Sequence, residues 1–133
     1  LENRIATPQG SAFETNSDII VDESVLHELR TLLGDDFLLL VDAFFGDADQ
    51  ITGSLNGMLE TSEMPNYEAI SQLSHSMKSI SLNVGAVILS AMAAQIEKES
   101  RQEKVPDLNT KLRELITMYH DVKVELQRIV ATL

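Results

Sequence analysis

The sequence predicts an all-α protein, an antiparallel up-down four-helix bundle with a short additional helix at its N-terminal end. Apolar residues recur at helical spacing in five segments, and turn-forming residues separate these segments. No segment shows the alternating pattern of a half-buried strand. Aromatic residues make up 5% of the chain and Trp is absent, so we expect an aliphatic core built from good helix formers.

The length of 133 residues fits one folded domain. Residues 1–20 are rich in Ser, Thr, Asn, Gly and Pro, and we interpret them as a flexible linker. Residues 21–133 are predicted to form the bundle domain. The first residues lack both an initiator Met and the basic and apolar regions of a signal peptide, so we expect a domain taken from a longer chain.

Acidic residues precede the first two predicted helices. Asp22 is expected to cap a short first helix, and Gly34 suits the position that follows its end. Asp35 is expected to cap the second helix, whose apolar residues alternate in steps of four and three, as in the seam of a helical bundle. These residues are Phe37, Val41, Phe44, Ala48, Ile51, Leu55 and Met58.

Three further helices are predicted with short connections, which favours antiparallel neighbours. Asn66 is expected to cap the third helix, and a tight turn at Asn83 and Gly85 separates it from a fourth over residues 86–102. Pro106 suits the first turn of the fifth helix, which has the longest unbroken apolar pattern. Its apolar residues are Leu108, Leu112, Leu115, Tyr119, Val122, Leu126, Ile129 and Leu133.

Charge and composition exclude several functions. The formal net charge of −11 leaves no basic footprint for nucleic acid or for an anionic membrane surface. The chain has no Cys, which excludes disulfides and thiolate metal sites. No apolar run approaches the ~18 residues of a membrane span. The histidines lack the Glu-x-x-His spacing of di-iron bundles, and the acidic groups lack calcium-loop spacing, so no metal is expected.

One histidine lies on the polar face of the third predicted helix. At 100° per residue, the apolar stripe of that helix centres almost opposite His75. The stripe consists of Ile70, Leu73, Met77, Ile80 and Val84. His75 is therefore predicted to be exposed. Its neighbours on the same face are Ser71, Gln72, Lys78, Ser79 and Leu82.

The run HSMKSISLNVGA from His75 to Ala86 resembles the signature H-x-L-K-G-S-x-x-x-x-G-A of histidine-containing phosphotransfer (HPt) domains. The run LGDDF at residues 33–37 resembles that family's entry to its first long helix, and the family's Leu and apolar-Glu positions are matched further along. Those matches are Leu89 and Ile96-Glu97. Within the signature, Met77 replaces Leu, Ser79 replaces Gly and Ile80 replaces a small residue. The resemblance covers roughly residues 22–130.

This resemblance implies a phosphoryl carrier of a multistep phosphorelay. The imidazole Nε2 of His75 would accept the phosphoryl group from an aspartyl phosphate of a response-regulator receiver domain and pass it to a second receiver. Lys78 would pair with the phosphoryl oxygens, and Glu97 would accept a hydrogen bond from Nδ1–H. The docking face would comprise Ser71, Gln72, Ser79 and Leu82.

The resemblance also sets expectations for cofactors and cellular context. Mg²⁺ would come from the receiver, and the chain has no cofactor and no ATP-binding motif of its own, so it is not expected to be an enzyme. We expect a cytoplasmic monomer without membrane contact. Its parent chain would be a hybrid sensor histidine kinase, with this domain at the C-terminal end of a membrane-anchored protein.

Two other functions fit a helical bundle. The dimerisation and phosphoacceptor domain of a histidine kinase typically has an acidic residue after its His and a Pro in the next turn, whereas here Ser76 follows and the next Pro is Pro106. A structural adaptor without phosphorylation is the other alternative. For single residues, Glu97 could pair only with Arg101 at i+4, Lys78 could be a surface charge, and Leu82 a stray exposed residue.

Overall fold

The computed structural model describes residues 19–61 and 63–133, so the predicted linker lies outside the described residues except for its last two. The described residues form five α-helices. These are α1 (Glu23–Leu33), α2 (Phe37–Leu59), α3 (Tyr67–Asn83), α4 (Val87–Arg101) and α5 (Leu108–Val130), with a 3-10 turn at Gly34–Asp36 between α1 and α2.

The four long helices close into a bundle. Helix α2 packs against α3 and α5, and α4 packs against the same two helices, so every long helix has two neighbours. The short α1 packs on the start of α2 and on the turn before it. The predicted fold class, a four-helix bundle with a short additional N-terminal helix, is confirmed.

The core is mainly aliphatic, as predicted, although it also contains three aromatic rings. The largest completely buried side chains are supplied by all five helices. They are Leu26, Phe37, Leu55, Ile70, Met77, Leu89, Ile96, Leu112, Leu115, Tyr119, Leu126 and Ile129. The buried residues of α2 and α5 follow most of the predicted four-three steps, with Thr52 and Lys111 buried in addition. Of the predicted residues, Met58 and Leu108 are half-buried, and Leu133 lies beyond the end of α5.

The predicted helix caps are correct at two of three positions. Asp22 accepts a hydrogen bond from the Ser24 amide at 3.0 Å, and Asn66 accepts one from the Ala69 amide at 3.0 Å. The prediction for Asp35 was wrong, because this residue lies inside the 3-10 turn and α2 begins two residues later without a side-chain cap. The start of α2 is instead stabilised by a backbone hydrogen bond within the 3-10 turn, which the Phe37 amide donates to the Gly34 carbonyl.

Gly85 joins the turn between α3 and α4 to the start of α1. Its φ of 77° lies in the left-handed region, where a side chain is strained. The Asp22 amide donates to its carbonyl at 2.9 Å, and a Cβ on Gly85 would lie 2.9 Å from the Asp22 carbonyl oxygen. The glycine therefore permits the contact between α1 and the end of the bundle at which α3 ends.

The inward face of α3 differs from the predicted stripe. Ile70 and Met77 are buried as predicted, but Leu73 and Ile80 are half-buried, and the fully buried positions next to them are Ser74 and Ser81. Small side chains at these two positions let a neighbouring helix lie close to α3. The apolar pattern did not reveal them, because a serine alone carries no signal of burial.

Candidate functional site

His75 lies in the middle of α3 with its side chain directed away from the core. The side chain is 55% exposed, whereas Ser74 and Met77, one residue before it and two after it, are completely buried. The exposure of His75 was predicted from the helical periodicity of α3 and is confirmed. An exposed imidazole in this position can reach a partner without any rearrangement of the bundle.

One nitrogen of the imidazole is held by the neighbouring helix. The Nδ1 atom of His75 lies 2.9 Å from Oε2 of Glu97 on α4, a hydrogen bond between residues 22 positions apart. Because a carboxylate is an acceptor, it selects the tautomer in which Nδ1 carries the proton. Nε2 then keeps its lone pair and is the nucleophilic nitrogen of the ring.

Glu97 is a buried carboxylate that binds three donors. Glu97 is 3% exposed. In addition to His75, it contacts Lys78 Nζ at 2.9 Å through Oε1 and Arg101 Nη2 through Oε2. Burial raises the pKa of Glu97, but the hydrogen bonds from Lys78 and His75 and the charge of Arg101 outweigh it, so the pKa lies below its ordinary value. Glu97 is therefore an anion at neutral pH.

The contacts of Glu97 answer two questions that the sequence left open. The i+4 pair with Arg101 and the hydrogen bond to His75 are present together, so they are not alternatives. Lys78 is more than a surface charge, because it is an ion-pair partner of Glu97 and its side chain is 32% exposed. The predicted hydrogen bond between His75 and Glu97 is present.

Close packing of α3 on α4 brings these side chains together. The hydroxyl of Ser90 on α4 donates to the backbone carbonyl of Lys78 at 3.0 Å, and Ala86 and Ala93 are completely buried on the same side. Small residues at these positions allow the two helix backbones to approach. The side chain of Glu97 can thus reach across to the imidazole ring.

A comparison with protein families decides the identity of the fold. The profile of the Hpt domain family matches residues 39–125, which include most of α2, all of α3 and α4, and most of α5. The chain belongs to the Hpt domain family. His75, Lys78 and Glu97 all lie within the matched residues.

Individual relatives agree with this assignment. The phosphorelay protein LuxU of Vibrio harveyi is 27% identical to this Hpt domain over 106 residues, which cover 79% of this chain and 90% of that protein. Two solved structures share the fold. Histidine-containing phosphotransfer protein B from Pseudomonas aeruginosa PAO1 superposes with a TM-score of 0.74 at 23% identity, covering 84% of this chain and 95% of its own. Histidine-containing phosphotransfer protein ZmHP2 from maize superposes with a TM-score of 0.72 at 19% identity, covering 85% of this chain and 88% of its own.

The predicted docking residues of this Hpt domain lie along α3 around His75. Gln72 and Ser79 are exposed, Ser71 is half-buried, and Leu82 is 55% exposed near the end of the helix. Among the described residues, Leu82 belongs to the set of large apolar side chains that remain exposed. The exposure fits a docking face, and the assignment of these residues to docking stays a prediction.

Sequence reasoning did not assign a role to Arg101 in the Hpt site. Arg101 is the last residue of α4, and it lines an open groove beside Glu97 together with Lys78 and Lys98. The i+4 spacing from Glu97 to Arg101 was the available signal, but it was interpreted only as a rival of the contact to His75. Three of the ten Lys and Arg residues of a strongly acidic chain therefore line one groove together with this buried carboxylate.

Within the described residues, no group of three or more His, Asp and Glu side chains is arranged to hold a metal ion. No helix in the same part of the Hpt domain is long and apolar enough to cross a membrane.

Proposed function

We propose that this Hpt domain relays a phosphoryl group between the aspartates of receiver domains, with His75 Nε2 as the carrier atom. The observation that supports this most directly is the imidazole itself, which is exposed and has Nδ1 bonded to a buried carboxylate. The similarity to a phosphorelay protein and the family membership agree with it. They also favour this function over the dimerisation domain of a histidine kinase.

In the proposed reaction, the lone pair of Nε2 attacks the phosphorus atom of an aspartyl phosphate on the receiver. The Nε2–P bond forms, the P–O bond to the aspartate breaks, and the aspartate leaves as a carboxylate. The ring gains positive charge, while Nδ1 keeps its proton and its N–H donates a hydrogen bond to Glu97. The anion of Glu97 stabilises that charge, which is the role of a carboxylate that orients a histidine.

Lys78 is proposed to stabilise the transferred group. It follows His75 by three residues, so the two side chains are neighbours on the surface of α3. Its ammonium group contacts Glu97 in the unphosphorylated protein, and its side chain is long and partly exposed. A phosphoryl group on Nε2 offers oxygens with more negative charge, to which the ammonium group can turn. Lys78 would then change partner during the reaction.

We propose receiver domains of response regulators as the partners, docked on the face of α3 formed by Ser71, Gln72, Ser79 and Leu82. The receiver would supply Mg²⁺ and most of the positioning, as in phosphoryl transfers that depend on geometry and charge. HPt phosphorelay carriers lack an ATP site of their own. This chain is accordingly proposed to be a carrier that accepts phosphate from a phosphorylated receiver and not from ATP.

The remaining expectations on context are part of the proposal. The domain is proposed to act as a monomer in the cytoplasm, and size-exclusion chromatography with light scattering would test the oligomeric state, since a kinase dimerisation domain would elute as a dimer. Its origin in a hybrid sensor histidine kinase stays a prediction.

A transfer assay tests the proposed function. The wild-type domain, mixed with a phosphorylated cognate receiver and Mg²⁺, should acquire one acid-labile, base-stable phosphate, whereas ATP alone should give none. His75→Gln should abolish acceptance, because the nucleophilic nitrogen is gone. His27→Gln and His120→Gln are matched controls on exposed histidines of α1 and α5 and should accept normally. Acceptance by His75→Gln would refute the proposal, and no acceptance by the wild type from any receiver would favour the adaptor alternative.

A further inference from the structure

The two oxygens of Glu97 are occupied unequally. Oε1 contacts Lys78, whereas Oε2 accepts from both the imidazole Nδ1 of His75 and the guanidinium Nη2 of Arg101. The carboxylate is buried, but the Arg101 side chain is 65% exposed at the end of α4. Arg101 can therefore be changed at little cost to the core, although it shares an acceptor atom with the proposed phosphorylation site.

We propose that Arg101 sets the lifetime of phosphohistidine 75 by competing with the imidazole for Oε2 of Glu97. In this arrangement Arg101 does not touch the phosphoryl group. It is a positioning residue that acts through Glu97. The inference rests on the proposed function, because it concerns the phosphorylated state of His75.

The chemistry of the leaving group links Glu97 to this lifetime. When phosphohistidine is attacked by water or by a receiver aspartate, the Nε2–P bond breaks and its electron pair returns to the ring. With a proton on Nδ1 the ring leaves as neutral imidazole, which is a good leaving group. Without that proton it would leave as imidazolate, which is a poor one. A hydrogen bond from Nδ1–H to an anionic carboxylate favours the protonated, labile form.

Arg101 weakens this effect. An Arg guanidinium stays charged at every accessible pH, so it offsets the negative charge of Glu97 and occupies part of the acceptor capacity of Oε2. Two other cations lie nearby: Lys78 from α3 contacts Oε1, and Lys98 from α4 lines the same groove. Once Lys78 turns to the phosphoryl oxygens, Arg101 is the cation that remains in contact with the carboxylate.

The experiment compares the phosphorylated wild type with Arg101→Ala, Arg101→Lys and Lys98→Ala. Each protein is phosphorylated by the receiver and separated from it, and the loss of phosphate is followed between pH 5 and 9. The ring titration of the phosphorylated protein is followed by ³¹P NMR. Lys98→Ala is the matched control, because it removes the same charge from the same helix and groove without removing a contact to Oε2.

Arg101→Ala should shorten the lifetime about two- to fivefold at pH 7, the range expected for one largely exposed ion pair. The titration midpoint of the phosphorylated ring should move to higher pH, since the anion beside it is less compensated. Arg101→Lys should restore most of the wild-type lifetime, and Lys98→Ala should resemble the wild type. An unchanged or longer lifetime in Arg101→Ala, or an equal effect of Lys98→Ala, would overturn the inference.

The two proposals fail in different ways. If the wild type acquires no phosphate from any receiver, the proposed function is wrong. If the wild type is phosphorylated and Arg101→Ala keeps its lifetime and its titration midpoint, the function stands and the role of Arg101 is wrong. Circular dichroism of each variant shows whether the bundle is intact, so that misfolding is not taken for a change in lability.

Discussion

Replacing Gly85 should lower the stability of the bundle without changing the side chains of the site. An alanine here would have to keep a φ of 77° and place its Cβ 2.9 Å from the Asp22 carbonyl oxygen and 3.1 Å from the Val25 Cβ. The oxygen belongs to the backbone, so α1 itself must move. That movement strains the hydrogen bond from the Asp22 amide to the Gly85 carbonyl.

The cost follows from these two effects. A left-handed φ costs an L-residue about 1–2 kcal/mol. A weakened hydrogen bond costs about 1 kcal/mol. Gly85→Ala should therefore lower the free energy of unfolding by about 2–3 kcal/mol, a large part of the roughly 5–15 kcal/mol of a typical domain. With a slope of about 2 kcal/mol per M urea, the midpoint of unfolding should fall by about 1–1.5 M.

Urea denaturation followed by circular dichroism measures this change, and a second glycine provides the control. Gly53 lies in the interior of α2, is exposed, and has no atom within 4 Å of an added Cβ. Gly53→Ala should raise the free energy of unfolding by about 0.5–1 kcal/mol, since alanine is the better helix former. Phosphate acceptance should survive both changes. A wild-type midpoint in Gly85→Ala, or an equal loss in Gly53→Ala, would refute the reasoning.

Two further predictions concern the transfer reaction. Lys78→Ala should slow acceptance about 5- to 150-fold without abolishing it, because one charge-assisted hydrogen bond contributes ~1–3 kcal/mol to the transition state. Rapid-quench kinetics would measure the rate. An unchanged rate, or a loss equal to that of Lys98→Ala, would count against a contact between Lys78 and the phosphoryl group. Ser79→Arg should block transfer and leave the unfolding midpoint unchanged, because it adds a bulky side chain one turn from His75. The control is Thr117→Arg, which adds the same side chain on α5, the helix diagonal to α3, and should leave transfer normal. Normal transfer in Ser79→Arg would place the docking surface elsewhere.

The chain sequence was sufficient for the features that depend on local spacing. The helical period of α3 placed His75 opposite the buried Ile70 and Met77, and the structure confirms that it is exposed. The caps at Asp22 and Asn66 were also predicted, because the side chain of a cap bonds an amide two or three residues away. Such interactions are settled within one or two turns of helix, and the order of the residues contains all the information they need.

Local spacing was insufficient at the start of α2 and on the buried face of α3. Asp35 was predicted to cap α2, but the chain forms a 3-10 turn there. On α3, the apolar pattern marked Leu73 and Ile80, whereas the buried positions are Ser74 and Ser81. The burial of Ser74 and Ser81 depends on the helices packed against α3. The same holds for Lys111, which is 4% exposed because its ammonium group reaches Glu99 on α4 at 2.6 Å.

The site as a whole was decided by tertiary structure. The sequence supplied His75 and Lys78 on one face of a helix and, through the family resemblance, nominated Glu97 on the next helix. That Glu97 reaches His75 and Lys78 depends on the rotation and the offset along the axis between α3 and α4, whereas its i+4 pair with Arg101 lies within α4. The hydrogen bond from the Ser90 hydroxyl to the Lys78 carbonyl ties the two helices together at this level. The periodicity of either helix leaves the rotation and the offset undetermined, because it describes one helix at a time.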